Sequence, residues 1–167
     1  MLTIGTSIRP LLPELVPAAQ AASRETGIYA SVLLALAQNA RKRPESWRDY
    51  YCANHSVINI RPEEGYDGPT YRANIAGYVG GFYVQRLKTY KGYDTWADGI
   101  MAAARYLIEK RPAVLLAKSP EEACRAIDGI PTGNHTVWAD LMILAIRKMD
   151  LKQYDLPLDA TKVHITQ

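Results

Sequence analysis

The carboxylates that could do acid–base work fall in two places. Glu45 lies in "ALAQNARKRPESW", residues 35 to 47, after Arg41, Lys42, Arg43 and Pro44. Glu63 and Glu64 lie side by side between Pro62 and Gly65. A carboxylic acid that acts as a proton donor must be held protonated, so it needs a partly apolar pocket. Paired carboxylates can divide acid and base roles when their surroundings differ. Glu45 has two readings: a general acid at the lip of a cleft, or a solvated residue paired with Arg41, Lys42, Arg43 and Arg48. Those cations would lower its pKa, against the first reading. Glu63 and Glu64 are either a charged turn or, for Glu64, a second acid facing Glu45 across a groove. His135 reads as a turn residue, and Asp98 as a helix cap.

The aromatic residues are biased. There are 11 tyrosines and one phenylalanine. Most of the tyrosines lie between Tyr50 and Tyr93. A tyrosine offers a flat apolar face and a hydroxyl, which suits sugar rings; it is also a good strand residue. Tyr66 and Tyr71 are the two chosen as candidate sugar contacts.

Composition closes off other classes. A formal charge of +3 is too small to argue for nucleic acid. It suits a partner with some negative charge. Two cysteines make no disulfide framework, and Cys124 lies among apolar neighbours as a buried thiol. No Cys/His spacing suggests zinc, and no other metal or cofactor is implied. "MLTIGTSIRPLLPELVP" is broken by prolines and lacks the apolar core of a signal peptide, so the chain is expected to be made in the cytoplasm. No stretch approaches the ~20 apolar residues of a membrane span, and no membrane insertion is expected.

Around these residues the elements are mostly helical. Pro13 can open a helix that stops at Gly27. "YASVLLALAQNARK" is apolar nearly all round and belongs in the centre of a core, ending by Pro44. From 54 to 90 turn signals at Pro62, Gly65, Asp67-Gly68-Pro69 and Gly80-Gly81 separate short Tyr/Val/Ile runs, a small β-rich lobe. Thr95 can cap "WADGIMAAARYLIEK". Ser119-Pro120-Glu121-Glu122 reads as a capping box. "TVWADLMILAIRKM" is a last amphipathic helix, and "DLPLDATKVHITQ" an extended or loosely docked tail. The expected fold class is mainly α (α+β): a helical body carrying a β-rich lobe, with a groove between them. One domain covers residues 1–155, and 156–167 are the tail.

Four stretches, in order, carry a resemblance. "AAQAASRETGIYASVLLALAQ" resembles a helix, a Gly-Ile turn and an "aSv-x-x-AQ" helix. "ANHSVINIR" is similar to an Asn-rich "NNLFGIK". "YVQRLKTYKGYDTWADGIMAAARYL" is similar to "FRxYxsxxeSixDhxxfL". "SPEEACRAIDGIPTGNHTVWADLMILAIRKMDLKQYD" is similar to a helix, a "GYATDPxYaxkL" segment and an "xLxxYD" ending. Together, over about residues 11 to 155, they resemble the glucosaminidase domain of bacterial peptidoglycan hydrolases (glycoside hydrolase family 73).

That resemblance implies a lysozyme-like fold with a saccharide cleft between its lobes. It implies peptidoglycan as partner and cleavage at the N-acetylglucosaminyl β-1,4 linkage. Its acid follows the "AQ" helix as "AQxxLESGWG". Without a gap, Lys42 takes the glutamate's place; with three residues inserted, Glu45-Ser46-Trp47 falls on "ES-x-W". Beside Tyr66 and Tyr71, the candidate substrate-binding residues are Asn54, in the Asn-rich stretch, and Trp138, which stands for the second tyrosine of "GYATDPxY" while Thr132 replaces the first. Two other readings stay open: an inactive structural or wall-binding module, and a lytic transglycosylase. Lacking a signal peptide, the domain would reach the wall as part of a virion, through a holin, or in a secretion apparatus.

Overall fold

The structure is a computed structural model, and it describes residues 10–41, 54–128 and 138–157. Helix α1 spans Leu15–Thr26. Pro17 falls in its first turn, where its missing N–H costs nothing. Gly27 ends the helix with φ +82°, and its N–H donates to the Ser23 carbonyl. Helix α2 spans Ala30–Arg41 and, apart from Asn39, is buried on every side. This is the central rod that its all-round apolar sequence predicts. Arg41 at its end donates to the Gln38 side-chain oxygen and to the Pro10 carbonyl, at 2.9 and 3.0 Å. Pro44, expected to end this helix, lies outside the described residues.

Strands β1 (Thr70–Val79) and β2 (Phe82–Lys91) form one antiparallel hairpin. Gly80 and Gly81 make its two-residue turn, with φ +57° and +85°. Glycine takes those angles without a Cβ penalty, and they match the twist of the strands. Residues 54–69 carry no strand. The turn signals there break the run, and Val57, Ile58 and Ile60 instead join the main core. Backbone bonds tie this segment to the hairpin's end: Lys91 N–H to the Ile60 carbonyl, Gly92 N–H to Pro69, Tyr93 N–H to Asn54.

Helix α3 (Trp96–Lys110) opens on Thr95, whose hydroxyl accepts from the Asp98 N–H and donates to its carboxylate. A 3-10 turn (Pro112–Leu116) leads to α4 (Pro120–Ala126). Ser119 accepts from the Glu122 N–H as expected, but the Glu122 carboxylate bonds the Lys118 N–H, one residue before the cap. Helix α5 spans Trp138–Lys148, and a 3-10 turn (Leu151–Tyr154) follows. In the first turn of α5 the Ala139 N–H donates to the Asp128 carboxylate, 11 residues earlier.

The core is one main cluster contributed by the five described helices and by residues 57–60. Tyr71, Ala73 and Tyr90 form a second, small cluster at the hairpin base. Cys124 is buried and free, and burial pushes its thiol up to about 12.

Candidate functional site

Three pieces of chain meet at Tyr93: the segment that begins at Asn54, the turn from Glu63 to Gly68, and the passage from β2 into α3. Asn54 is half-buried, and its carbonyl accepts from the Tyr93 N–H at 2.9 Å. Gly92 leaves room for it, since a Cβ there would lie 3.3 Å from the Asn54 side-chain oxygen. His55 adopts the left-handed region at φ +50°, uncommon for a residue with a side chain. Its Nδ1 lies 2.8 Å from the Tyr93 carbonyl. A carbonyl only accepts, so Nδ1 carries the proton. The ring meets Trp96 edge-on at 5.4 Å. A Cβ on Gly99 would overlap the His55 carbonyl oxygen, so α3 comes this close only because residue 99 is glycine.

Tyr66 lies half-buried beneath Lys91, whose ammonium stands 4.4 Å from the ring centroid. The Tyr66 hydroxyl points back at the Pro69 carbonyl. Lys91 also pairs with Glu63 at 2.5 Å. That hydrogen bond holds the Glu63 carboxyl below its ordinary range, so Glu63 is an ionised structural partner and no proton donor. Glu64, the candidate second acid, is exposed in the turn. Tyr71 is different from Tyr66: it is 7% exposed, its hydroxyl donates to Ser56 Oγ at 2.9 Å, and its ring leans on Tyr90. It supports the surface from beneath.

Tyr93 is the residue that sequence reasoning missed. Its hydroxyl is buried and has no hydrogen-bond partner. Burial first, then the nearby Tyr66 and Glu63, pushes it up to about 12. Nothing in the sequence separates Tyr93 from ten other tyrosines. His55 had a faint signal, a histidine beside an asparagine just before a strand-poor turn region.

Glu45, Lys42, Cys52, Thr132 and His135 lie outside the described residues, as does the side chain of Trp138, whose backbone opens α5. The chain that carries Glu45 runs from Arg41, at the end of the central helix, to Asn54 at the cluster. Among the described residues no group of His, Cys, Asp and Glu could hold a metal ion. No described helix is long and apolar enough to cross a membrane.

No family model and no curated protein matches the sequence. Solved structures do match the fold. The catalytic domain of the autolysin Auto from Listeria monocytogenes superposes with a TM-score of 0.69 at 17% identity, over 89% of this chain and 92% of that one. A peptidoglycan hydrolase mutant from Sphingomonas sp. A1 gives 0.65 at 18% identity, over 84% and 93%. A C-terminally truncated glycoside hydrolase domain of FlgJ from Salmonella typhimurium gives 0.57 at 16%, over 81% and 93%. The chain has the fold of these domains: the α+β, lysozyme-like arrangement that the resemblance implies, with a helical body and a small two-stranded sheet.

Proposed function

We propose that this is a peptidoglycan hydrolase-like domain of the endo-β-N-acetylglucosaminidase type. One observation carries the reading. The whole described body, not one motif of it, follows an autolysin's catalytic domain across 89% of the chain. The polar and aromatic cluster at Asn54, Tyr66 and Tyr93 then lies where the chain returns from the central helix. In this reading the glycan strand runs past that cluster, with Tyr66, Asn54 and Trp138 against the sugars. Glu45 donates the proton to the leaving oxygen. Glu64, or the substrate's own acetamido group, stabilises the sugar cation. The domain reaches the wall as part of a virion or a secretion apparatus.

The test is digestion of purified peptidoglycan with mass analysis of the products. Wild type should release fragments with reducing-end N-acetylglucosamine. Glu45→Gln should lower the rate by about 10²–10⁴-fold, the usual share of a general acid. Equal rates for the two proteins remove Glu45 from the mechanism. Anhydro-sugar products would make the domain a lytic transglycosylase.

One feature favours a second reading, a wall-binding module without activity. Lys42 takes the acid's place when no gap is opened, and the cations flanking Glu45 oppose its protonation. That reading predicts binding to sacculi with no fragments released.

A further inference from the structure

The hairpin is charged on one side of the ledger only. From Thr70 to Lys91 it carries Arg72, Arg86, Lys88 and Lys91 and no carboxylate. Lys91 is balanced by Glu63. Among the described residues no carboxylate pairs with the other three. The hairpin is also apolar where it meets water. Val79, Phe82, Tyr83 and Leu87 are 49%, 76%, 61% and 52% exposed, four of the seven large hydrophobic side chains that are exposed among the described residues.

The register sorts these groups by face. Tyr71 pairs with Tyr90, Ala73 with Lys88 and Val79 with Phe82, so Tyr71, Tyr90, Lys88, Arg86, Val79 and Phe82 share one face. The Tyr71 hydroxyl reaches Ser56, so that face is turned toward the segment that begins at Asn54. A row of two cations and then two apolar groups therefore leads outward from the proposed cleft. From Lys88 to Phe82 it runs roughly 20 Å at the rise of a strand. An extended peptide of about five residues spans some 17 Å.

We propose that this face takes the stem peptide that hangs from the glycan strand, and so makes a peptide-bearing strand the preferred ligand over bare glycan. Stem peptides combine free carboxylates with alanine methyl groups. Lys88 and Arg86 meet the carboxylates; Phe82 and Val79 pack on the methyls. The inference rests on the reading of the cleft as a peptidoglycan site. After an amidase the strand keeps only the lactyl carboxylate of each muramoyl sugar, held at the glycan itself, with no extended chain to reach along the row to Arg86 and Phe82.

The experiment is calorimetric titration of soluble, uncrosslinked glycan strands, with their stem peptides and after an amidase has removed them. The protein carries Glu45→Gln to hold back hydrolysis. Peptide-bearing strands should bind about tenfold more tightly, the sum of two exposed ion pairs. Arg86→Ser with Lys88→Ser should bring the two strands close to equal affinity. Arg86→Glu, at an exposed position that leaves the fold intact, should favour the stripped strand. Phe82→Ser should weaken only the peptide-bearing strand. Equal affinity for both strands when the hairpin is unaltered, or a preference that survives Arg86→Glu, overturns this proposal and leaves the cleft reading standing. Binding of neither strand overturns both. Binding to phosphatidylglycerol vesicles in place of peptide-bearing strands reassigns the hairpin and overturns the proposal too.

Discussion

Asp155 and Tyr93 are both half-buried side chains with polar groups turned inward, and they differ in whether anything answers them. Both carboxylate oxygens of Asp155 accept from Ser31, one from its backbone N–H and one from its hydroxyl, each at 2.7 Å. That caps the central helix from 124 residues away. Asp155→Ala should cost about 1–2 kcal/mol, as loss of a helix cap does, read by urea unfolding. Burial, the largest influence, raises the Asp155 pKa above 3.8 against the pull of those two hydrogen bonds. Above 3.8 the unfolded chain has released a proton that the folded chain still holds. This group's contribution to stability therefore falls as pH rises through the raised folded value. Asp155→Asn keeps an acceptor for the Ser31 N–H and removes the titration. Between about pH 7 and about pH 4 the wild type should lose less stability than the variant; parallel curves would show an unshifted Asp155. For Tyr93 the expectation is reversed. Its hydroxyl is buried without a partner, so Tyr93→Phe should stabilise the fold by about 1 kcal/mol. A loss of stability would mean that the hydroxyl is bonded after all. The tyrosines also mark where sequence reading stops: Tyr66 and Tyr71 look alike in the chain, and only tertiary packing makes one a half-open surface and the other a buried prop.

At the scale of elements, what was local could be read and what was distant could not. Gly27, Thr95 and Ser119 mark helix ends through bonds to residues within four positions, and the sequence displays them directly. The Gly80-Gly81 turn is legible for the same reason. The β-rich lobe is smaller than its composition suggests, because Pro62, Gly65 and Pro69 deny residues 54–69 a ladder and leave the hairpin to start at Thr70. The caps on α2 and α5 come from Asp155 and Asp128, and no periodicity points to either. Asp155, the last residue of the expected domain, is fixed at both carboxylate oxygens. Gly99→Ala pushes a methyl into the His55 carbonyl, so α3 and the 54–55 segment must separate. The cost should be about 1–3 kcal/mol, in the range of overpacking, and thermal unfolding would measure it. An unchanged melting temperature would show that the segment yields freely.

For the whole molecule, the fold was within reach because it depends on an apolar rod, two amphipathic partners and one hairpin, all periodic features. The cluster was not, because it depends on Asn54, Tyr66 and Tyr93 meeting across 39 positions of chain, and the proposed acid Glu45 lies outside the described residues. The same long closure has a consequence for synthesis. The central helix emerges from the ribosome early, yet its opening turn stays uncapped until Asp155 has been made. Gln20 likewise waits for the Tyr154 carbonyl, 134 residues later. Consolidation of the body thus waits until the last turn of the domain has been made, and long-range closures of this kind slow folding and leave earlier segments exposed to chaperones.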